Sequence, residues 1–502
     1  MGRDTVSNVV APVVKPITIE ISGLDLMGTP WAHQREALRR SLPLRDFALL
    51  WDPGCGKSFA AIMVARAKMF HVEHPLRTIV VTPPIVIKNW KDEWLAHSKF
   101  KPEQILCLVG SGKERLEALK NADKTMVIVT NYQSLTVMPD VFAALKAWKP
   151  EIFICDEAHR VKNPQSKTCK RTAELAALAK HRMILSGTPI LQSPMDLFGQ
   201  YLVLDLGTTF GKNFYQFRAQ YFYDKNAGMP AIRHFPNWQI LPNAEKEIGR
   251  KIAATSMSAK KSECLDLPPF VRKVLSLELS SSQRRIYDEM AKDFVSYVGD
   301  KACVAKLAMT KALRLLQITS GFVTLEGKDG ADREICSLED NPRITLLSEL
   351  LGDIEPSGKV IVWASFKQNY IQIAKACADA DLAYVEVHGG ISPGQKQVNV
   401  KLFQTDPRIR ILIGNPGAGG IGINLIQAPS AVFYSRSFSL EHDIQAEARN
   451  YRGGSEIHDK VTRYDLVAEN TIDEIVASRL AGKMAMSDSI FQELAREVAK
   501  TL

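Results

Sequence analysis

Between Phe47 and Ser186, short β-branched and aliphatic runs alternate with longer stretches of helical character. Residues 47–51, 77–81, 125–130, 152–155 and 182–185 read as strands, and 57–71 reads as a helix after the first of them. Strands of a parallel sheet are buried on both faces and so are written as unbroken apolar runs. The rhythm therefore predicts an α/β layer with helices on both sides. It stops near Leu206. From there to about Asn341 the chain is aromatic, basic and reads as mostly helical, with turn-rich interruptions at 226–230 and 327–330. The alternation resumes at Lys359, with strands expected at Val360–Trp363, Tyr384–Val387, 409–413, 431–434 and 461–467. The expected organisation is a first α/β lobe over 1–206, a helical insertion and linker over 207–340, and a second α/β lobe over 341–502.

Composition adds a few exclusions. A chain of 502 residues, 46% hydrophobic and 24% charged, has the make-up of an ordinary globular protein with room for two or three cores. None of its apolar runs approaches the roughly 18 residues that span a bilayer, so no membrane role is expected. The N-terminus is rich in Val and Pro but lacks a basic patch followed by an apolar core and a cleavage site. The eight cysteines are scattered without a Cys-x-x-Cys pair, which argues against a zinc ribbon or a disulfide framework. These features predict a cytoplasmic protein that is not secreted. The formal charge of +9 suits a polyanion partner, and Lys246, Arg250, Lys251, Lys260 and Lys261, with Trp238, are candidate backbone contacts.

Two motifs carry chemistry. Asp52-Pro53-Gly54-Cys55-Gly56-Lys57-Ser58 follows an expected strand and opens an expected helix. Gly54 and Gly56 let backbone N–H groups close around phosphates at the positive end of that helix. Lys57 would reach the β- and γ-phosphates, and Ser58 would place its hydroxyl on Mg²⁺. About a hundred residues on, Asp156-Glu157-Ala158-His159 ends another apolar run. There Asp156 would hold Mg²⁺ and Glu157 would orient and deprotonate an attacking water.

Residues 156–163, DEAHRVKN, closely resemble the second motif of Swi/Snf-type ATPases of helicase superfamily two, in a compact bacterial or phage form. Other blocks agree across nearly the whole chain. Gln34 stands where this superfamily places an adenine-reading glutamine, and residues 82–84 and 89–93 resemble the motif Ia region. Residues 185–192, LSGTPILQ, resemble motif III, and 260–269 with 279–287 look like the stretch that joins the family's lobes. Leu313, Leu316 and Gln317 read as a packed helix face. Residues 414–425 resemble motif V, a loop whose glycines suit a nucleic-acid phosphate. Residues 445–452, QAEARNYR, match motif VI, which implies that Arg449 and Arg452 project from one helix face to the γ-phosphate. Gly453-Gly454-Ser455 then departs from the family's Ile-Gly-Gln.

The resemblance implies two RecA-like lobes, bound ATP and Mg²⁺, and a motor moving on nucleic acid, chiefly double-stranded DNA, alongside separately encoded replication or repair proteins. It makes Lys57, Asp156, Glu157, Arg449 and Arg452 catalytic, and His159, Ser186, Thr188 and Gln445 the residues that couple hydrolysis to movement. A strand-separating DNA or RNA helicase remains open, because no motif announces a wedge. An ATP-gated DNA clamp or scaffold is the alternative of another class.

Overall fold

The computed structural model describes residues 26–501 apart from 73, 230–235, 294, 299–300, 305–307, 327–332, 356–357 and 420–422. The turn expected at 327–330, Pro230 and the motif V residues Gly420, Ile421 and Gly422 thus lie outside the described residues.

The first lobe is built on β1 (Asp46–Trp51), β2 (Thr78–Thr82), β3 (Ile105–Cys107), β4 (Val127–Asn131), β5 (Ile152–Asp156) and β6 (His181–Leu185). Side chains alternate between two apolar layers. Ile79 and Val81 of β2 join Ile128 and Phe153 on one face, while Val80 joins Val129 and Ile154 on the other. Each such residue removed from water contributes about 1.5–3 kcal/mol, which is why these runs fix the sheet.

The segment from 207 to 340 holds helices at Phe214–Tyr221, Ala244–Ala253, Ser281–Asp293 and Ala308–Thr319. It also holds strands, which the expectation of a mostly helical insertion did not include. The pairs β7 (Phe222–Asp224) with β8 (Trp238–Ile240), β11 (Val295–Val298) with β12 (Lys301–Val304), and β13 (Phe322–Glu326) with β14 (Arg333–Ser337) are antiparallel. Between them, β9 (Ser256–Ala259) joins the first sheet beside β1, and β10 (Phe270–Leu277) joins the second. Neither is a continuous apolar run: both are edge strands with one side unpaired, and most of β10 is accessible. Leu316 and Gln317 pack as expected, but Leu313 points outward with 45% of its surface exposed.

The second lobe completes its sheet with β15 (Val360–Trp363), β16 (Tyr384–Val387), β17 (Ile411–Gly414), β18 (Ser430–Phe433) and β19 (Val461–Ala468). Strand order is β3-β4-β2-β5-β6-β1-β9 in the first sheet and β10-β19-β18-β15-β17-β16 in the second, every pairing parallel. These are two RecA-like α/β lobes. The helix Ile472–Thr501 leaves the second lobe and places Ile490 in a core of the first, so the lobes are joined by packing as well as by the linker.

Candidate active site

Where parallel strands end, the chain must turn before its next helix, and those turns collect the site. After β1 the turn carries Gly54 at φ +97° and Gly56 at φ +72°, both in the left-handed region that favours glycine. A Cβ at Gly56 would also lie 2.4 Å from Nε2 of Gln34. The Lys57 ammonium folds back onto the carbonyls of Trp51 at 2.9 Å and Asp52 at 3.2 Å. Gln34 is buried and spends its amide on the protein, accepting from Trp31 N–H at 2.8 Å and donating to the Gly56 carbonyl at 3.2 Å.

At the end of β5 the Asp156 carboxylate accepts from Thr82 Oγ1 at 2.9 Å, from Trp90 Nε1 at 2.8 Å and from the Glu157 N–H at 3.0 Å. Burial, and then the charge of Glu157, push its pKa up; a cation beside it would relieve both. Glu157 adopts φ +52°, uncommon for a side chain with a Cβ, and the Tyr132 hydroxyl donates to the Asp156 carbonyl just before that turn. Burial opposes ionisation of Glu157, but the hydrogen bond and charge of His159, with Lys57 and Arg449, outweigh it and hold the pKa below the usual carboxylate range.

His159 is buried. Its Nδ1 lies 3.3 Å from Glu157 Oε2 and 3.4 Å from Thr188 Oγ1, and its Nε2 lies 3.0 Å from Oε1 of Glu441 in the second lobe. Ser186 Oγ accepts from the Thr188 N–H at 3.3 Å. Gln445 donates from Nε2 to Glu441 at 3.3 Å. Of the four expected coupling residues, His159 and Gln445 contact Glu441, Thr188 contacts His159, and Ser186 contacts Thr188.

The two arginines do not share a helix face. The helix ends at Glu447, and Arg449 and Arg452 lie in the turns beyond it. That stretch is tied to the loop before it instead: Leu425 N–H donates to the Arg449 carbonyl at 2.9 Å, and Asn450 Nδ2 donates to the Ala428 carbonyl at 3.0 Å. The Arg449 guanidinium donates to the carbonyls of Gln445 and Ile423. Burial and the neighbouring Arg452 bring its pKa down to about 10. Arg452 sits against Gly54, where an added Cβ would be 3.2 Å from its own, and its Nε is buried without a hydrogen-bond partner among the described residues.

A cleft of 670 Å³ is lined by Gln34, Gly54, Gly56, Lys57, Ser58, Asp156 and Glu157 from the first lobe and by Arg449 and Arg452 from the second. A buried, unpartnered guanidinium N–H on an arginine that lines the cleft with Lys57 and the glycine turn fits an anion. Ser58 and Asp156, on the same wall, are hard oxygen donors that fit a magnesium ion.

The SNF2-related domain family matches residues 34–326, and the helicase conserved C-terminal domain matches residues 342–454. The chain belongs to the SNF2-related family. A relative from Acyrthosiphon pisum secondary endosymbiont phage 1, "Putative protein p41", is 26% identical over 93% of this chain and 99% of its own length. The Danio rerio "Chromodomain-helicase-DNA-binding protein 1-like" is 24% identical over 83% of this chain and 39% of its own. The Oryza sativa "DNA repair and recombination protein RAD54" is 23% identical over 84% of this chain and 46% of its own. The SNF2-family chain thus spans nearly all of the phage protein and less than half of these two larger ones. Among solved structures, the "Sulfolobus solfataricus SWI2/SNF2 ATPase core in complex with dsDNA" is similar at 19% identity and a TM-score of 0.42, covering 98% of this chain and 99% of that one.

Sequence reasoning missed several contributors. Trp90 and Thr82 lay inside a recognised block without a role, and Tyr132 carried no signal. Lys261 was read as a DNA contact, yet it spans the two halves of the site. Its N–H donates to Asp52 Oδ2 at 3.0 Å, and its ammonium pairs with Glu447 Oε1 at 3.1 Å, 4.3 Å from the Tyr451 ring centre. Lys246, Arg250 and Lys251 are exposed, with the Lys251 ammonium 3.9 Å from Glu247 one turn earlier on the same helix. Trp238 lies under Arg218, whose guanidinium carbon is 3.9 Å from the ring centre. No described helix is long and apolar enough to cross a membrane.

Proposed function

We propose that the chain is a DNA-dependent ATPase that moves along double-stranded DNA by closing and opening its two lobes around each ATP. The observation that carries this is Arg452: from the second lobe it packs against the first lobe's phosphate turn at Gly54 and lines the same cleft, with its Nε buried and unpartnered among the described residues. Gly54, Gly56 and Lys57 bind the phosphates, and Ser58 and Asp156 would hold Mg²⁺, which neutralises phosphate charge. Glu157 takes the proton of the attacking water, while Arg449 and Arg452 stabilise charge that develops on the γ-phosphate. Because one lobe supplies the cradle and the other the arginines, hydrolysis is tied to closure. The names of relatives, a chromodomain-helicase-DNA-binding protein and a DNA repair and recombination protein, favour DNA as the track. We assign the work to the cytoplasm of a bacterial or phage-infected cell, with separately encoded replication or repair proteins.

ATPase assays with double-stranded DNA, single-stranded DNA, forked DNA and RNA test this. Double-stranded DNA should stimulate most, and the stimulation should fall steeply with salt as counterion release loses its advantage. A larger response to RNA would overturn the DNA assignment and leave the ATPase assignment standing.

A further inference from the structure

We infer that Glu441 is a positioning residue that aims the Glu157 carboxylate through His159 when the second lobe closes on the first. The proposal rests on the ATP-hydrolysis reading and adds to it an acid that none of the motif residues includes.

The geometry is a chain across the lobe boundary. Glu441 Oε1 lies 3.0 Å from His159 Nε2, and the opposite ring nitrogen, Nδ1, lies 3.3 Å from Glu157 Oε2. A neutral imidazole has one N–H and cannot donate at both positions, so a ring set between two carboxylates is an imidazolium. Its pKa follows: burial works against the charge, but the two acids outweigh it. The ring is a rigid spacer, and fixing Nε2 fixes the direction in which Nδ1 points. Three further contacts hold the ends. Gln445 donates to the same Glu441 oxygen, Thr188 Oγ1 stands 3.4 Å from Nδ1, and Ser439 caps the helix on which Glu441 rides by accepting from the His442 N–H.

A consequence follows for Glu157, which sits in a left-handed turn with its carboxylate 3.3 Å from the His159 ring. With the lobes apart, His159 loses Glu441 and with it the constraint on ring rotation, so Glu157 loses its orientation. With the lobes together, Glu441 holds Nε2, and closure thereby sets the aim of the base.

The test uses the full chain. DNA-stimulated kcat and KM for ATP are measured for wild type, Glu441→Ala, Glu441→Gln and Glu157→Gln, and melting temperatures for the nucleotide-free wild type, Glu441→Gln, His159→Asn and their double variant. Glu441→Ala should lower kcat by about 10²-fold, the loss expected for a misaimed catalytic group, with KM little changed. Glu441→Gln, which keeps an oxygen for Nε2, should recover part of that loss. The His159→Asn and Glu441→Gln effects on melting should be less than additive. Unchanged kcat in Glu441→Ala overturns the proposal, as does a fall in kcat matched by a comparable rise in KM. Wild type without turnover overturns the ATPase reading and this role together, and additive melting effects alone remove the contact on which the role depends.

Discussion

The two halves of the cleft are built by different physics. On the first-lobe wall, Asp156 is held by neutral donors, Thr82 Oγ1, Trp90 Nε1 and a backbone N–H, at the end of a strand buried on both faces. On the second-lobe wall, the arginine-bearing turns hang from a buried charge network. Arg463 pairs with Asp465 at 2.9 Å, Asp443 at 2.9 Å and Glu447 at 3.1 Å, and Arg436 pairs with Asp443 at 3.0 Å. Neutral hydrogen bonds in an apolar frame hold Asp156 ready without the second lobe, whereas its neighbour Glu157 takes its aim through His159 from across the boundary. A charge network instead holds one arrangement firmly and penalises any arrangement that breaks a pair. A fixed cradle facing a charge-locked lever is the division of labour that a closing motor requires.

The largest effect that can break this contrast comes from the fixed wall. Glu157→Gln removes the proton acceptor and leaves the phosphate cradle intact, so turnover should fall by about 10⁴-fold while ATP still binds. Lys57→Ala, by contrast, should weaken binding and turnover together. Turnover close to wild type in Glu157→Gln would take Glu157 out of its role.

Arg452→Ala acts on the lever. Nucleotide affinity should stay nearly intact, because the first lobe supplies the phosphate turn, while turnover drops by about 10³-fold. A plain surface arginine would instead change neither turnover nor stability by more than about 0.5 kcal/mol. Isothermal binding and DNA-stimulated turnover on one variant separate the two outcomes.

Arg463→Met tests the lock itself. Removing this buried cation takes one partner from each of three acids, leaving Asp443 to Arg436, Glu447 to Lys261 and Asp465 to Arg272, and denaturant unfolding should show a loss of about 3 kcal/mol. The comparison predicts that Trp90→Phe, on the neutral wall, costs less stability than this while slowing turnover. Equal losses from the two variants would erase the distinction between the walls.

The parts legible in the sequence are those in which a local run or turn specifies the structure. Apolar strands such as β2 and β5 and the glycine turn at 54–56 announce themselves, because burial on both faces and a positive φ leave few residue choices. Trp90, Tyr132, Lys261 and Glu441 were not legible in this way, since each acts on a residue dozens to hundreds of positions away and only the fold brings them together. The strand β10 was hidden for another reason: an edge strand with exposed residues carries no apolar run. The motif VI arginines were placed on a helix because their spacing permits one. Tertiary hydrogen bonds at Arg449 and Asn450 end the helix earlier than that spacing suggests.

The smallest expected effect separates the walls by pH. Among the described residues, His159 is the link between them whose charge changes between pH 6.5 and 9, and the donors on Asp156 do not titrate there. Hydrogen bonds and charge from Glu157 and Glu441, against the opposing cost of burial, carry its pKa from 6.5 up to about 9. A raised value means that the folded state holds the proton more tightly than the unfolded chain. The stabilisation is complete below 6.5 and is lost as pH rises through about 9. Lys68, pushed down to about 8 by burial, works in the opposite sense as pH rises, so the wild-type curve alone is ambiguous. The difference between wild type and His159→Asn cancels that contribution, because Lys68 is bonded to the carbonyls of Ser41, Leu42 and Leu44, away from the cleft. Melting temperatures taken from pH 6 to pH 10 should therefore show the wild-type advantage over His159→Asn shrinking between roughly pH 7 and 9.5. Parallel curves would mean that the imidazolium does not hold the lobes, and that the lever closes on the cradle by packing alone.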